Sequence, residues 1–370
     1  MSIWKLVRLK FGNSPVHFGE VGIGLEQSSE RIRSDALFSA WISTYARLFG
    51  KAGVEELLER FCSESQPPVR MSSTFIYSRP EGENAIYYLP RPLKFPINYP
   101  DEDLQFFKEY KKLTYLPIPV WHRWYQGEGF TTNDAQELID KTTKEGTGNG
   151  ALHKAETFNY GETFKTEKRP KIAVDRVNAA TNLYHTGFVQ FNWNQPNNEI
   201  RSLAGLYFLL EFPEEDKSLE TNLHAALALL GEEGVGGRRS SGAGRFEIEW
   251  ESSLPKDWQK ILKSPKNMTH HCAISLFWDD PSVMNELITE DCSYEIQERR
   301  GWIAGSPSGL NLRRKSVQMF LEGSVFPSPP LGKLADVTPE GFKEHKIYRN
   351  GIALSIPIKV KPEKISSDCL

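Results

Sequence analysis

Residues 231–246, GEEGVGGRRSSGAGRF, gather the groups best suited to hold a polyanion. Six glycines (Gly231, Gly234, Gly236, Gly237, Gly242, Gly244) lie among Arg238, Arg239, Ser240, Ser241 and Arg245. Glycine allows positive φ and close approach of backbone to a ligand. Such a loop can turn its N–H groups toward an anion. Arginine adds charge-assisted, often bidentate bonds to phosphate oxygens. Serine adds short neutral donors. The set suits a ribose-phosphate chain laid across a loop. The alternative is a flexible surface connector that happens to carry arginines. The entropic cost of ordering six glycines speaks against it.

The flanks position this loop. Leu219, Leu223, Leu227 and Leu230 give one apolar helix face before it. Leu203 to Phe212, upstream of that helix, is a long apolar run of strand type. Downstream, Phe246, Ile248 and Trp250 alternate with Glu247, Glu249 and Glu251, as in a half-buried strand. The loop therefore closes a helix. A Walker loop would open one with Gly-Lys-Ser/Thr, and a Rossmann fingerprint would need glycine in place of Arg239. No cofactor is expected.

The 370 residues suffice for two domains. They are 39% hydrophobic and 25% charged, an ordinary globular composition. With a net charge of -3, a nucleic-acid site must be a local basic patch. Cys62, Cys272, Cys292 and Cys369 form no CxxC pair, which fits a reducing cytoplasm. No apolar run has the roughly 18 residues of a membrane span, and the N-terminus does not read as a signal peptide. A cytoplasmic protein with no membrane partner is expected.

Ile3 to Phe11 alternates as a first strand. A turn segment with Gly12, Pro15, His17, Phe18, Gly19, Gly22 and Gly24 follows. Ser34 suits a helix cap and Asp35 the first turn. Leu37, Trp41, Tyr45 and Leu48 give the apolar face, Gly50 ends that helix, and Val54 to Phe61 forms another. Ser73 to Ser78 reads as a second strand. Prolines punctuate residues 80–200, with one helix at Glu102 to Lys112 and a flexible loop at Thr142 to Gly150. Lys171 to Val177 and Leu183 to Trp193 suggest a hairpin joined by Asn178 to Asn182. Without this insertion the order is βαββαβ, the ferredoxin-like arrangement. Asp257 to Lys266 is a polar join to a last region with strands at His271 to Trp278, Ser316 to Leu321 and Tyr348 to Leu354. The expected fold is α+β: a ferredoxin-like domain at 1–255 with an insertion at about 80–200, and a second, degenerate one at 256–370.

VHFGEVGIGLEQSSERIRSDALFSA (16–40), GEEGVGGRRSSGAGRFE (231–247) and SVQMFLEGSVF (316–326) resemble the RAMP superfamily of CRISPR proteins. Within it the chain is most similar to the fourth Csm subunit of type III-A effector complexes. The resemblance runs along most of the chain and is weakest over 80–200. It implies two ferredoxin-like (RRM-like) modules. It implies a non-catalytic antiviral-defence subunit that binds the crRNA 5′ handle through the glycine-rich loop and caps the foot of the complex. The implied partners are the large polymerase/HD-type subunit and the repeating backbone RAMP subunit. It also implies a thumb, a hairpin that kinks the guide beside the handle, where Lys171 to Trp193 stands.

The expected RNA contacts are Gly234, Gly236, Gly237, Arg238, Arg239, Ser240, Ser241, Gly242 and Arg245 of the loop; His17 and Phe18; Arg33 and Ser34, at a helix N-terminus suited to anions; and Asp175, Arg176 and Tyr184 of the hairpin, Tyr184 by stacking. His17 also allows an alternative, a metal-independent crRNA-processing endoribonuclease. Attack by a 2′-OH needs a base, an acid and phosphate stabilisation together, and no second histidine or lysine stands at a telling spacing. His270, His271 and Cys272 lack a carboxylate-rich partner motif and read as core strand, not metal site. Tyr99, Phe106, Phe107, Tyr110, Trp121, Trp124 and Tyr125 read as core and interface aromatics.

Overall fold

The computed structural model describes residues 2–19, 24, 26–63, 66–80, 84–100, 105–143, 148–194, 202–251, 253–263, 267–303 and 312–362. Gly22, Glu102, Lys266 and Cys369, invoked above, lie outside them, as does part of the 142–150 loop.

One antiparallel sheet organises the chain. β1 (Ile3–Lys10) leads to α1 (Ser34–Ser63), β2 (Arg70–Met71), β3 (Phe75–Pro80) and β4 (Ile86–Pro90). Then come α2 (Phe107–Lys112), β5 (Tyr115–Pro117), α3 (Ile118–Tyr125), α4 (Thr132–Thr143) and α5 (Ala151–Lys154). A hairpin of β6 (Phe164–Val174) and β7 (Thr181–Phe191) precedes β8 (Trp193–Asn194), β9 (Ser202–Phe212), α6 (Lys217–Glu233) and β10 (Glu247–Trp250). The sheet order is β10-β1-β9-β3-β4-β5, and β2 and β8 also bond to β9.

β9 is apolar throughout because both of its faces are covered. Leu206, Phe208 and Leu210 pack with Val7, Leu9, Trp41, Leu223 and Leu227 under α1 and α6. Tyr207 and Leu209 face the other way, with Leu6, Phe75 and the insertion aromatics Tyr99, Phe106, Tyr110, Trp121, Trp124 and Tyr125. These aromatics are core, as expected; Phe107 packs on their margin. The insertion is less separate than its prolines suggest, since β4 and β5 extend the main sheet, with α2 between them in the chain.

Two local expectations change. The α1 stripe runs Leu37, Trp41, Tyr45 and then Phe49, whose ring lies 4.5 Å from Tyr45. Leu48, one position off this i+4 line, is 46% exposed. Gly50 (φ 71°, ψ -175°) is non-helical and divides α1 into two helical stretches, as expected. The hairpin is longer than expected. Its turn is residues 175–180, and Asn182 already pairs with Ala173.

The C-terminal part comprises α7 (Lys256–Leu262), β11 (His270–Ala273), α8 (Pro281–Leu287), β12 (Ile296–Arg299), β13 (Val317–Phe320), β14 (Val325–Phe326), β15 (Leu334–Asp336), β16 (Tyr348–Asn350) and β17 (Ser355–Ile358). They form three small sheets: β14-β11-β17, β12-β13 and β15-β16. β11 stops at Ala273 because the chain turns to meet α1: the Leu276 N–H donates to Ser34 Oγ at 3.0 Å. Trp258, Ile261, Cys272 and Ile356 share the core of the insertion aromatics.

Two buried carboxylates clamp this part to the first. Glu322 accepts both arms of Arg31 (3.1 and 2.9 Å), a bond from Arg33 (2.5 Å) and one from Ser73. Asp35 accepts Arg299 bidentately (2.9 Å each) and Arg349. This corrects the anion-site expectation for Arg33 and Ser34. Ser34 is fully buried with its hydroxyl spent on Leu276, and Arg33 faces Glu322. The N-terminus of α1 is covered by the protein's own C-terminal part.

Burial works against the Glu322 charge, but Arg31 and Arg33 overcome it and hold its pKa far below the ordinary glutamate value. An unfolded glutamate titrates near 4.3. The depressed folded value means that Glu322 stabilises fully above about pH 5, and that this stabilisation is lost as pH falls. Glu322→Gln should lower stability by roughly 3–5 kcal/mol, because Arg31 loses its buried counter-charge. The variant should also melt with a flatter dependence between pH 5 and 3 than wild type. Superimposable melting curves across that range would refute the clamp.

Candidate nucleic-acid interface

Pro15 to Phe18 is an extended segment gripped from two sides. On the hairpin side, Val16 and Val189 exchange backbone bonds of 2.8 and 2.9 Å. On the loop side, Gly244 N–H donates to Pro15 O (2.9 Å) and Gly237 N–H to His17 O (2.8 Å). The grip requires small residues. A Cβ on Gly236 would lie 2.5 Å from His17 O, and one on Gly187 would lie 2.5 Å from Glu26 O.

The loop closes on itself in the same way. Asp216 caps the start of α6, accepting from Leu219 N, and Gly234 (φ 83°) ends that helix. Val235 N–H donates to Gly244 O at 2.9 Å. Gly244 (φ 80°) leaves no room there: an added Cβ would sit 2.0 Å from Val235 O. Arg239–Ser241 makes a single 3-10 turn between Arg238 (φ 61°) and Gly242 (φ 82°), both left-handed. Most of these glycines therefore seat the loop on the protein. Gly242 alone among Gly234, Gly236, Gly237, Gly242 and Gly244 faces open space.

The seating turns the polar residues outward. Arg239, Ser240, Ser241 and Arg245 are exposed, and Arg238 is half-buried. Among the described residues, no ion pair or side-chain hydrogen bond holds Arg239 or Arg245. The Arg238 guanidinium lies 5.6 Å from the Tyr184 ring centre, so the loop and the hairpin meet. The hairpin register places Tyr184 opposite Lys171 and Thr186 opposite Arg169, on one face. The other face carries Ile172, Val174 and Leu183, all largely exposed. Asp175 and Arg176 sit in the exposed turn, with Asp175 Oδ1 accepting from Val177 N.

His17 and Phe18 lie beneath the loop, 6% and 5% exposed. The Phe18 ring packs beside Phe11 at 6.2 Å, which corrects its expected RNA contact: it is core. His17 Nδ1 lies 2.7 Å from Gly187 O. A carbonyl can only accept, so Nδ1 carries the proton and the ring is tied to the hairpin. His17 fixes the seat of the loop; its ring does not reach the exposed face. Sequence reasoning missed Gly187, whose role depends on a contact with a segment about 160 residues away.

No helix among the described residues is long and apolar enough to cross a membrane. His270 bonds Asp291 through Nε2 at 2.9 Å, while Cys272 is buried in the core as expected.

Seating by glycine predicts an order of sensitivity. Gly242→Ala should cost roughly 1–2 kcal/mol, the left-handed penalty alone. Gly244→Ala adds a backbone clash and should cost clearly more. Thermal melting of the two variants checks this; equal shifts would mean that the loop is not seated through Gly244.

The RAMP superfamily profile matches residues 13–247, and the CRISPR Csm4 C-terminal domain profile matches 266–358. The chain is 26% identical to the CRISPR system Cms protein Csm4 of Methanocaldococcus jannaschii, over 96% of this chain and 97% of that one. It is 27% identical to the protein of the same name from Mycobacterium tuberculosis, over 95% and 98%. Its fold resembles a chain of the Csm3-Csm4 subcomplex of the type III-A CRISPR-Cas interference complex (TM-score 0.60, 20% identity, 95% and 99% covered). It also resembles a chain of a Csm1-Csm4 cassette in complex with cA4 (TM-score 0.53, 15% identity, 98% and 100% covered). With its first two-thirds and its C-terminal part matched in turn, the chain belongs to the RAMP superfamily of CRISPR proteins, with a C-terminal domain of the Csm4 type.

Proposed function

We propose that the chain is a non-catalytic RNA-binding subunit of a type III-A CRISPR interference complex. It binds the 5′ handle of crRNA across the glycine-rich loop and caps the foot of the complex. The observation that carries this reading is the pair of exposed guanidinium groups, Arg239 and Arg245, unpartnered among the described residues, on a loop seated by its glycines. A fixed pair of cations without counter-charges suits phosphates. Ser240 and Ser241 add donors beside them. The strand order β10-β1-β9-β3, with α1 and α6 on one face, supports a ferredoxin-like module at 1–255 carrying an insertion at about 80–200. The region 256–370 would be its degenerate second copy.

Two protein neighbours complete the reading: the repeating backbone RAMP subunit and the large polymerase/HD-type subunit. The descriptions of the solved relatives, a Csm3-Csm4 subcomplex and a Csm1-Csm4 cassette, support them. The burial of His17 and its bond to Gly187 O support a scaffold over the endoribonuclease alternative, because a catalytic base must reach the 2′-OH. The hairpin fits a thumb: Tyr184 and Arg238 stand at its loop side, and exposed Ile172, Val174 and Leu183 can wedge between bases.

Arg239→Ala with Arg245→Ala should weaken binding of a handle-length RNA, and the logarithmic salt slope should fall by about 0.7 per lost contact. An unchanged slope would end the proposal. Replacing residues 175–180 by a two-residue Gly-containing turn should leave handle binding intact. A fluorescent base analogue at the handle–spacer junction should then dim, because an unwedged base stays stacked. Equal emission in both complexes would rule out a thumb.

A further inference from the structure

The clamp at α1 is over-supplied with positive charge. Glu322 is taken up by Arg31 and Arg33, so that Arg299, Arg349 and Arg314 gather around the single charge of Asp35. Arg314 does not reach Asp35; its Nη1 donates to Ser39 Oγ at 3.3 Å, one turn further along α1. Its Nε, and that of the buried Arg349, have no hydrogen-bond partner among the described residues. The first turn of α1 adds the positive end of a helix dipole. Burial, with Arg349 and Arg299 nearby, pushes the Arg314 pKa down to about 10. Cations gathered in a half-dry site without matching anions are costly unless a ligand supplies the charge.

Beside this excess lies an exposed aromatic platform. Residues 301–303 and 312–314 pair through their backbones, with Arg314 N–H to Gly301 O at 2.9 Å and Ile303 N–H to Leu312 O at 2.8 Å. This pairing sets Trp302 opposite Arg313. Trp302 is 51% exposed, and the Arg313 guanidinium lies 5.0 Å from its ring centre. Arg314 crosses the backbone of Gly301, where a Cβ would meet its Nη2 at 2.9 Å. An exposed indole with one arginine over its ring, backed on the opposite face of the ladder by the half-buried Arg314, is the composition of a single-strand stacking site with positive charge behind it.

We propose that Trp302 and Arg313 form a second contact for single-stranded RNA, separate from the glycine-rich loop: Trp302 stacks a base and Arg313 takes an adjoining phosphate, while the positive charge around Arg314 lies behind the pair. The proposal rests on the RNA-binding reading above. It places RNA on the C-terminal part as well as the first, so that one strand bridges the clamp.

The test titrates the purified full-length chain with a fluorescein-labelled repeat-derived single-stranded RNA. Trp302→Ala should lower affinity about ten-fold, the usual effect of losing one base–aromatic stack. Arg313→Ala should reduce the salt slope by about 0.7. Both side chains are surface groups, so melting temperatures serve as a check of folding. The Arg239→Ala, Arg245→Ala variant is measured alongside. If only that variant loses affinity, the second contact is refuted and the RNA reading stands. If no variant changes binding, or wild type fails to bind, both fall together. If Trp302→Ala and Arg313→Ala keep RNA affinity but no longer co-purify with the backbone or large subunit, the platform is a protein interface and the proposal is overturned.

Discussion

The candidate interface depends on one close packing of backbone against backbone. Pro15 to Phe18 lies between the hairpin and the loop with no side chain separating it from either. A carbonyl oxygen and an added Cβ cannot share the space at Gly236, Gly244 or Gly187. The glycines therefore act inward. Their entropic cost is offset by a rigid seat, and that seat is what points Arg239 and Arg245 into solvent. A looser loop would hold the same arginines as a mobile cation cloud, with less affinity left after ordering them.

A second constraint acts through charge. Glu322 and Asp35 each bring an element of the C-terminal part to residues around the start of α1. Burial disfavours the Asp35 charge as well, and Arg299 with Arg349 keeps its pKa below the ordinary value despite that. Such pairs add little over a well-packed apolar contact but tolerate no mispairing. They specify how the two parts dock. The sheet alone, coated by apolar side chains on both faces, would allow sliding.

Legibility followed the range of the interactions. β1, β9, α6 and β10 declare themselves because their periodicity is local and one or both faces are buried. The glycine-rich loop was found by composition. The hairpin was read too short because residues 164–170 are mostly exposed and lack the alternation that burial imposes. Ser34 and Arg33 carried the right signal for a helix start and the wrong one for an open anion site: Glu322 lies 289 residues from Arg33, and no local pattern reveals such a partner. Phe18, expected to contact RNA, packs in the core against Phe11, a distinction between the two sides of one short segment that no local pattern carries.

Arg238 connects these levels. It holds a left-handed conformation (φ 61°) that glycine would adopt freely, and that costs other residues about 1–2 kcal/mol. An arginine there needs a return. Its guanidinium over Tyr184 gives one, since a cation–π contact is worth about 0.5–1 kcal/mol at an exposed site and more when desolvated. The contact ties the loop to the hairpin, just as Gly187 and His17 tie the hairpin to the loop from below. Loop, segment 15–18 and hairpin are thus tied to one another by backbone and side-chain contacts. On the proposed reading, a strand held at Arg239 and Arg245 would meet the hairpin at an offset that these contacts set, so that bending falls at one nucleotide rather than along its length.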